Sequence, residues 1–384
     1  MPKLWIVTVG LICSLSGILL LVITPRSWDC ERSPVTTVSY TPDGQDILIL
    51  RDFGQQAELW RSQDEQPRAI YNFAGHTRGI NSASYAPDGK TILTGSDDGT
   101  AKLWDIASGQ LLHTFQNHRK GVTSVSYAPD GKTVLTGSVD STAKLWDIAS
   151  GQVLHTFQSY SDAVYSVSYA PDGKTVLTGS GDGTTKLWDI ASGQLLHTFQ
   201  GQSASIRSVS YALDGKTILT GSLDHTAKLW DTASGQLLHT FQGHRDAVLN
   251  VSFAPDGKTI LTGSADSTAK LWDTASGQLL HTFQGHRDAV LNVSFAPDGK
   301  TILTGSVDST AKLWDTASGQ VLHTFQGHSN SVSSVSYAPD GKTVLTASID
   351  NTIKLWDIAT GDLRSTLPNS LHTGGYLKCE LRTG

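Results

Sequence analysis

The sequence predicts an all-β protein, an eight-bladed β-propeller of four-stranded antiparallel sheets preceded by an N-terminal hydrophobic helix. Three observations carry that prediction. A Lys-Leu-Trp-Asp block returns at a fixed step, with Trp104, Trp146, Trp188, Trp230, Trp272, Trp314 and Trp356 each 42 residues after the last. A unit of that length cannot bury an apolar face by itself, so successive units must stack. Each unit holds four short apolar or alternating runs with turn residues between them, which is the pattern of a small antiparallel sheet. Repeating such a sheet radially leaves only short edges.

The first 33 residues stand outside the repeat. Residues 4–24 form an uncharged apolar run. As a helix it would span roughly 30 Å, enough to cross a bilayer core. The expectation is an uncleaved signal-anchor over residues 1–27 and a linker over 28–34. A cleaved signal peptide is the alternative, and a buried core helix the third. No A-x-A-like site follows the run, and the run is longer than a usual signal h-region. Ile12 precedes Cys13 where a lipoprotein signal needs a small residue. Lys3 and the terminal amine favour a cytoplasmic N-terminus, against the pull of Arg26 and Arg32. The expected location is therefore the membrane, single-pass, with the propeller outside the cytoplasm. A secreted or a cytoplasm-facing propeller is the alternative.

The repeat domain is expected over residues 35–368, with a tail over 369–384. First strands are expected to begin near Val35, Ile80, Val122, Val164, Ile206, Val248, Val290 and Val332. In a typical unit Val-Thr-Ser-Val-Ser-Tyr alternates and suits a strand. Ala-Pro-Asp-Gly follows as a tight turn, with Pro fixing φ and Gly taking the φ other residues resist. Thr-Val-Leu-Thr-Gly-Ser, Ala-Lys-Leu-Trp-Asp-Ile and Val-Leu-His-Thr-Phe supply the next three strands. Blade 1 has the Pro42-Asp43-Gly44 turn and Trp60 but few other signature residues, so a seven-bladed ring is the alternative. Units 224–265 and 266–307 differ only at His225/Ser267 and Ala265/Val307, the trace of internal duplication.

The net charge of −6 and pI near 6.1 exclude nucleic acid as the main partner, because phosphate binding needs a basic footprint. Three cysteines are too few for a disulfide scaffold.

The 42-residue period, the Gly-His before most units and the Trp-Asp at their ends resemble the WD-repeat family over residues 34–368. The chain is identified as a membrane-anchored, bacterial-type member. The resemblance implies a buried hydrogen-bond network of His, Thr, Asp and Trp in each blade. Blade 2 offers His76, Thr94, Asp98 and Trp104, and blade 3 offers His118, Thr136, Asp140 and Trp146. Blade 6 offers His244, Thr262, Asp266 and Trp272. Blade 7 offers His286, Thr304, Asp308 and Trp314, and blade 8 offers His328, Thr346, Asp350 and Trp356. Blades 4 and 5 carry Tyr160 and Gln202 in place of His, which is read either as drift or as a distinct partner-binding sector. Blade 1 has Arg32, Leu50 and Gly54 around Trp60. Many members close their ring by sharing strands of one blade between the two chain ends, and no such overlap is evident here. Cys30 and Cys379 flank the repeats, so they are read either as a disulfide clasp or as two free thiols.

The resemblance also implies that the loop after the His position and the residue before the turn Asp share one face, the top. The residues expected to bind a partner there are Arg78, Arg119, Lys120, Val139, Tyr160, Asp162, Leu223, Arg245, Arg287, Val307 and Ile349. An apolar centre with a polar rim is the anatomy of a protein interface. The function expected is a non-catalytic scaffold for a protein or peptide, working as a monomeric propeller without cofactor. The rivals are an envelope- or carbohydrate-binding propeller, for which Tyr160 is the one exposed aromatic candidate, and a hydrolase or redox enzyme. A His–Asp–Thr set in five blades argues against one catalytic site. A second His series (His113, His155, His197, His239, His281, His323) places one His per blade, too far apart to share a metal.

Overall fold

The computed structural model describes residues 34–51, 56–61, 68–158 and 160–367. The expected anchor over 4–24, with Cys13, Cys30 and Cys379, lies outside the described residues. Among those described, no helix is long and apolar enough to cross a membrane.

The described chain forms eight four-stranded antiparallel sheets, each built from consecutive strands. They cover residues 35–74, 80–116, 122–158, 164–199, 206–241, 248–284, 290–325 and 332–367, and are called blades 1 to 8. Blade 1 is complete, with strands Val35–Tyr40, Asp46–Arg51, Gln56–Arg61 and Arg68–Ala74. The ring therefore has eight blades rather than seven. Blade 8 packs directly on blade 1. Val38 N–H donates to Ser334 Oγ at 3.3 Å, the Tyr40 and Thr343 hydroxyls lie 2.9 Å apart, and Ser333 Oγ donates to Val35 O. Among the described residues no blade mixes strands from the two ends of the domain, and the seam is packed by these contacts and by a core shared by Val35, Val38, Leu345 and Leu355.

The core lies between blades. One cluster joins Leu93, Leu103 and Phe115 of blade 2 to Val122, Val125, Val134 and Trp146 of blade 3. Phe115 and Trp146 sit 5.4 Å apart, and the same pair recurs around the ring. A blade cannot bury these rings alone, which is why the period demands closure. Close approach also fixes a glycine. A Cβ on Gly95 would lie 2.7 Å from the γ-methyls of Val122 and Val125. Blade 1 carries Leu50 at that point, and the facing residue of blade 2 is Ala83 where other blades have Val. The smaller side chain makes room for the larger.

The innermost strand of every blade breaks register one residue after it starts. Val122 pairs with Ser138 and Ser124 with Gly137, so Thr123 is bulged out of the ladder. The same shift occurs in the other seven blades. A β-bulge re-aims its side chain. Eight bulged residues thus crown one mouth of the central channel.

Candidate functional site

The loops that enter each blade and the turns after its second strand lie on one face. Backbone hydrogen bonds join them. Val139 N–H donates to Gly121 O, Leu223 to Ser205 O, Val307 to Ala289 O and Ile349 to Ser331 O, all at about 2.9–3.0 Å. Val139, Leu223, Val307 and Ile349 are half-buried there, while Arg78, Arg119, Lys120, Asp162, Arg245 and Arg287 are exposed.

That face is held by the network beneath it. In blade 3, Trp146 Nε1–H donates to Thr136 Oγ1 at 2.9 Å. Thr136 Oγ1 lies 2.7 Å from His118 Nε2, and His118 Nδ1 lies 2.9 Å from Asp140 Oδ2. Trp can only donate and a carboxylate can only accept. For a neutral ring, the chain therefore runs Trp to Thr to His to Asp, with the imidazole proton on Nδ1. Asp140 also accepts from the backbone N–H of Arg119 and from Thr142. The bond from the Arg119 N–H ties that exposed loop to the blade. Blades 2, 6, 7 and 8 repeat the arrangement through His76, His244, His286 and His328.

The electrostatics follow. Burial pushes Asp98 and Asp140 upward, but hydrogen bonds from His, Thr and backbone N–H outweigh it and hold both far below the carboxylate range. Asp266 is held down to about 2 on the same balance. Burial lowers His244 and His286 below the ordinary imidazole value against the opposing pull of Asp266 and Asp308. Those rings favour the neutral form that the relay requires. The five Thr hydroxyls that complete these Asp–His–Thr sets are fully buried, and each already accepts a Trp N–H. None can reach a substrate, so the resemblance to a triad carries no nucleophilic chemistry.

Tyr160 is not the exposed aromatic that the sequence suggested. Its hydroxyl hydrogen-bonds Thr178, Trp188 Nε1–H donates to it at 3.1 Å, and Lys186 Nζ lies 4.1 Å from its ring centre. The ring is long enough to place its oxygen where an imidazole nitrogen would be. Gln202 compensates less well. Its amide donates to Thr226 O at 3.3 Å, while Trp230 still donates to Thr220. The second His series ties blade to blade, as where His197 Nε2 meets Ala233 O and His239 Nε2 meets Ala275 O at 3.0 Å. Among the described residues no cluster of His, Cys, Asp or Glu could hold a metal ion.

Sequence reasoning missed two features. One is blade 1's own network, in which Arg51 Nε lies 3.3 Å from Glu58 Oε1 and Trp60 Nε1–H donates to Glu58 Oε2 at 2.8 Å. Its signal was two opposite charges inside the apolar strands DILILR and QAELWR. The other is the crown of bulged residues. Its signal was a second strand position that changes from blade to blade while its neighbours stay constant.

Comparison with known proteins places this geometry among relatives. The WD domain, G-beta repeat family matches residues 67–105, 109–147, 151–189, 193–231, 235–273, 277–315 and 319–357. Each match begins with the last strand of one blade, or just before it, and ends with the third strand of the next. Similar curated proteins include a guanine nucleotide-binding protein subunit beta of Arabidopsis thaliana, 33% identical over 109 residues, covering 28% of this chain and 27% of that protein. The small ribosomal subunit protein RACK1 of Caenorhabditis elegans is 30% identical over 86 residues, covering 22% of this chain and 26% of that protein. The chain thus spans about a quarter of the length of these relatives. A crystal structure of the computationally designed Ika8 protein is similar with a TM-score of 0.76 at 26% identity, covering 85% of this chain and 97% of that one.

Proposed function

The chain belongs to the WD domain, G-beta repeat family, and from that premise we propose that it is a non-catalytic scaffold docking a protein or peptide on its top face. One observation carries the reading. The parts of the ring that vary, the entry loops and the turn residues, are pinned side by side on one face by a network that itself is sealed from solvent. Variation on a rigid frame is where binding is built. An enzyme would need an accessible nucleophile or acid–base pair, and the repeated Asp–His–Thr sets offer none.

We also propose that the propeller is tethered through residues 4–24, outside the cytoplasm. The uncharged length of that run and the cation ahead of it support this. The organisms of the relatives named above, a plant and a nematode, lend no support to a bacterial-type membrane-anchored member, so the tether rests on the sequence alone.

Replacing Arg119, Arg245 and Arg287 together with Glu is the test of docking. Crosslinking in intact membranes should recover partners with the native chain and lose them with the triple variant. Its melting temperature should stay almost unchanged, because exposed substitutions usually cost little. Equal recovery would move the site elsewhere. Thiol labelling of unreduced, denatured protein tests the compartment and the clasp together. One reactive cysteine, Cys13, is expected if Cys30 and Cys379 pair, and three would remove the clasp.

A further inference from the structure

The crown of bulged residues divides into two unlike halves. Thr36, Asn81, Thr123 and Ser333 are small and spend their side chains on the ring. Asn81 Nδ2 donates to Val122 O at 2.9 Å, and Thr123 and Ser333 donate to the carbonyls of Val164 and Val35 on the next blade. Thr36 Oγ1 donates to Leu50 O at 3.2 Å within its own blade. On the consecutive blades 4 to 7 the same position holds Tyr165, Arg207, Leu249 and Leu291.

This second half is organised. Tyr165 is buried, with its ring edge close to Gly181 on the top turn. The Arg207 guanidinium carbon lies 4.6 Å from the centre of that ring. Stacking holds the planar cation at low entropic cost, and a stacked guanidinium donates in its own plane. Leu249 and Leu291 continue the arc and are half-buried. The exposed charges around the mouth are mixed in sign. Arg78, Arg119, Lys120, Arg245 and Arg287 are exposed on this face against Asp97, Asp162, Asp246 and Asp288, in a chain whose overall charge is −6.

We propose that this arc is the subsite for an acidic peptide segment. A Glu or Asp side chain of the partner meets the Arg207 guanidinium, and an adjacent aliphatic side chain rests on Leu249 and Leu291. The site rests on the top-face reading and deepens it. Paired hydrogen bonds between guanidinium and carboxylate supply direction as well as strength, and the small half of the crown supplies no competing cation.

The test is fluorescence anisotropy on the full-length chain in detergent, with a labelled short peptide alternating Glu and Leu and its Gln-for-Glu counterpart. The Glu peptide should bind, and the Gln peptide should bind at least tenfold more weakly. Arg207→Leu should lose about tenfold in affinity for the Glu peptide, and Arg207→Lys should recover only part of it, because a point charge lacks the fork. Tyr165→Phe keeps the stacking ring and should bind within about twofold of the native chain. A native melting temperature in each variant keeps a folding defect out of the comparison. Absence of binding by the Glu peptide, equal binding of both peptides, or native affinity in Arg207→Leu would each overturn the proposal. Partners that depend on Arg119, Arg245 and Arg287 but not on Arg207 would overturn this subsite and leave the top-face reading standing.

Discussion

Blade 1 and blade 3 solve the same problem with different chemistry. Each must satisfy the indole N–H of a buried Trp near the mouth of its sheet. Blade 3 uses a neutral relay that ends on Asp140, a carboxylate that also grips the Arg119 loop. Blade 1 uses a buried ion pair, with the Arg51 and Glu58 side chains 3% and 2% exposed and Trp60 donating to Glu58. The relay couples the core to the top-face loop of Arg119. The ion pair lies inside the blade, at strand positions that hold Ser and Lys elsewhere. Seven blades are therefore built alike, with Tyr160 and Gln202 as variants, and blade 1 is a divergent unit that still closes the ring.

The largest expected effect is acid unfolding of the regular blades. Asp98, Asp140, Asp266 and Asp350 have depressed values in the folded chain. Their stabilisation is full above the unfolded carboxylate value, about pH 4, and is lost as pH falls through the folded values, which for Asp266 is about 2. His244 and His286 act in the same direction. Their folded values lie below about 6.5, so their contribution is full above that pH and declines as pH falls beneath it. Melting temperature should decline gently below neutrality and steeply below pH 4. A flat profile from pH 4 to pH 2 would contradict the relay.

Breaking blade 1 comes next. Glu58→Ala leaves Arg51 buried without its carboxylate and should cost about 3–5 kcal/mol in chemical denaturation. Restoring the common pattern with Ile49→Thr, Leu50→Gly, Arg51→Ser and Glu58→Lys together should cost much less. If the single variant loses under about 1 kcal/mol, the pair is not what holds the blade.

Thr304→Val in blade 7 removes the hydroxyl between His286 and Trp314. Leaving the Trp314 N–H donor and the His286 Nε2 acceptor unsatisfied should cost about 1–3 kcal/mol. A loss under about 0.5 kcal/mol for Thr304→Val would show that the hydroxyl is not what holds the relay.

The smallest effects separate blades 4 and 5. Gln202→His should gain about 1 kcal/mol by completing the relay to Asp224. Tyr160→His should change stability by less than about 0.5 kcal/mol, since the phenol already serves Thr178 and Trp188. Equal gains at both positions would show that Tyr160 is a poor substitute.

Much of this could be read in the chain. The eight first strands begin at the residues that the period marks, because a repeat that must stack fixes its own register. The networks of blades 2, 3, 6, 7 and 8 were implied by the resemblance to the WD-repeat family, and the hydrogen bonds form between those residues. Tyr160 was misread because a substitution in a motif says nothing about how far the new side chain reaches. The Arg51–Glu58 pair went unread because the two residues stand seven apart and meet only when their strands pair. The anchor over 4–24 rests on composition alone.

The sequence by itself determined the all-β class, the strand order within blades and the sites of buried Trp, since periodicity and turn residues act locally. The tertiary structure decided that blade 1 closes the ring, that Leu50 finds room beside Ala83, and that Tyr165, Arg207, Leu249 and Leu291 form one arc. A bulge exists only relative to a partner strand, and an arc only relative to neighbouring blades. Both arise from pairing across blades, which no single repeat encodes.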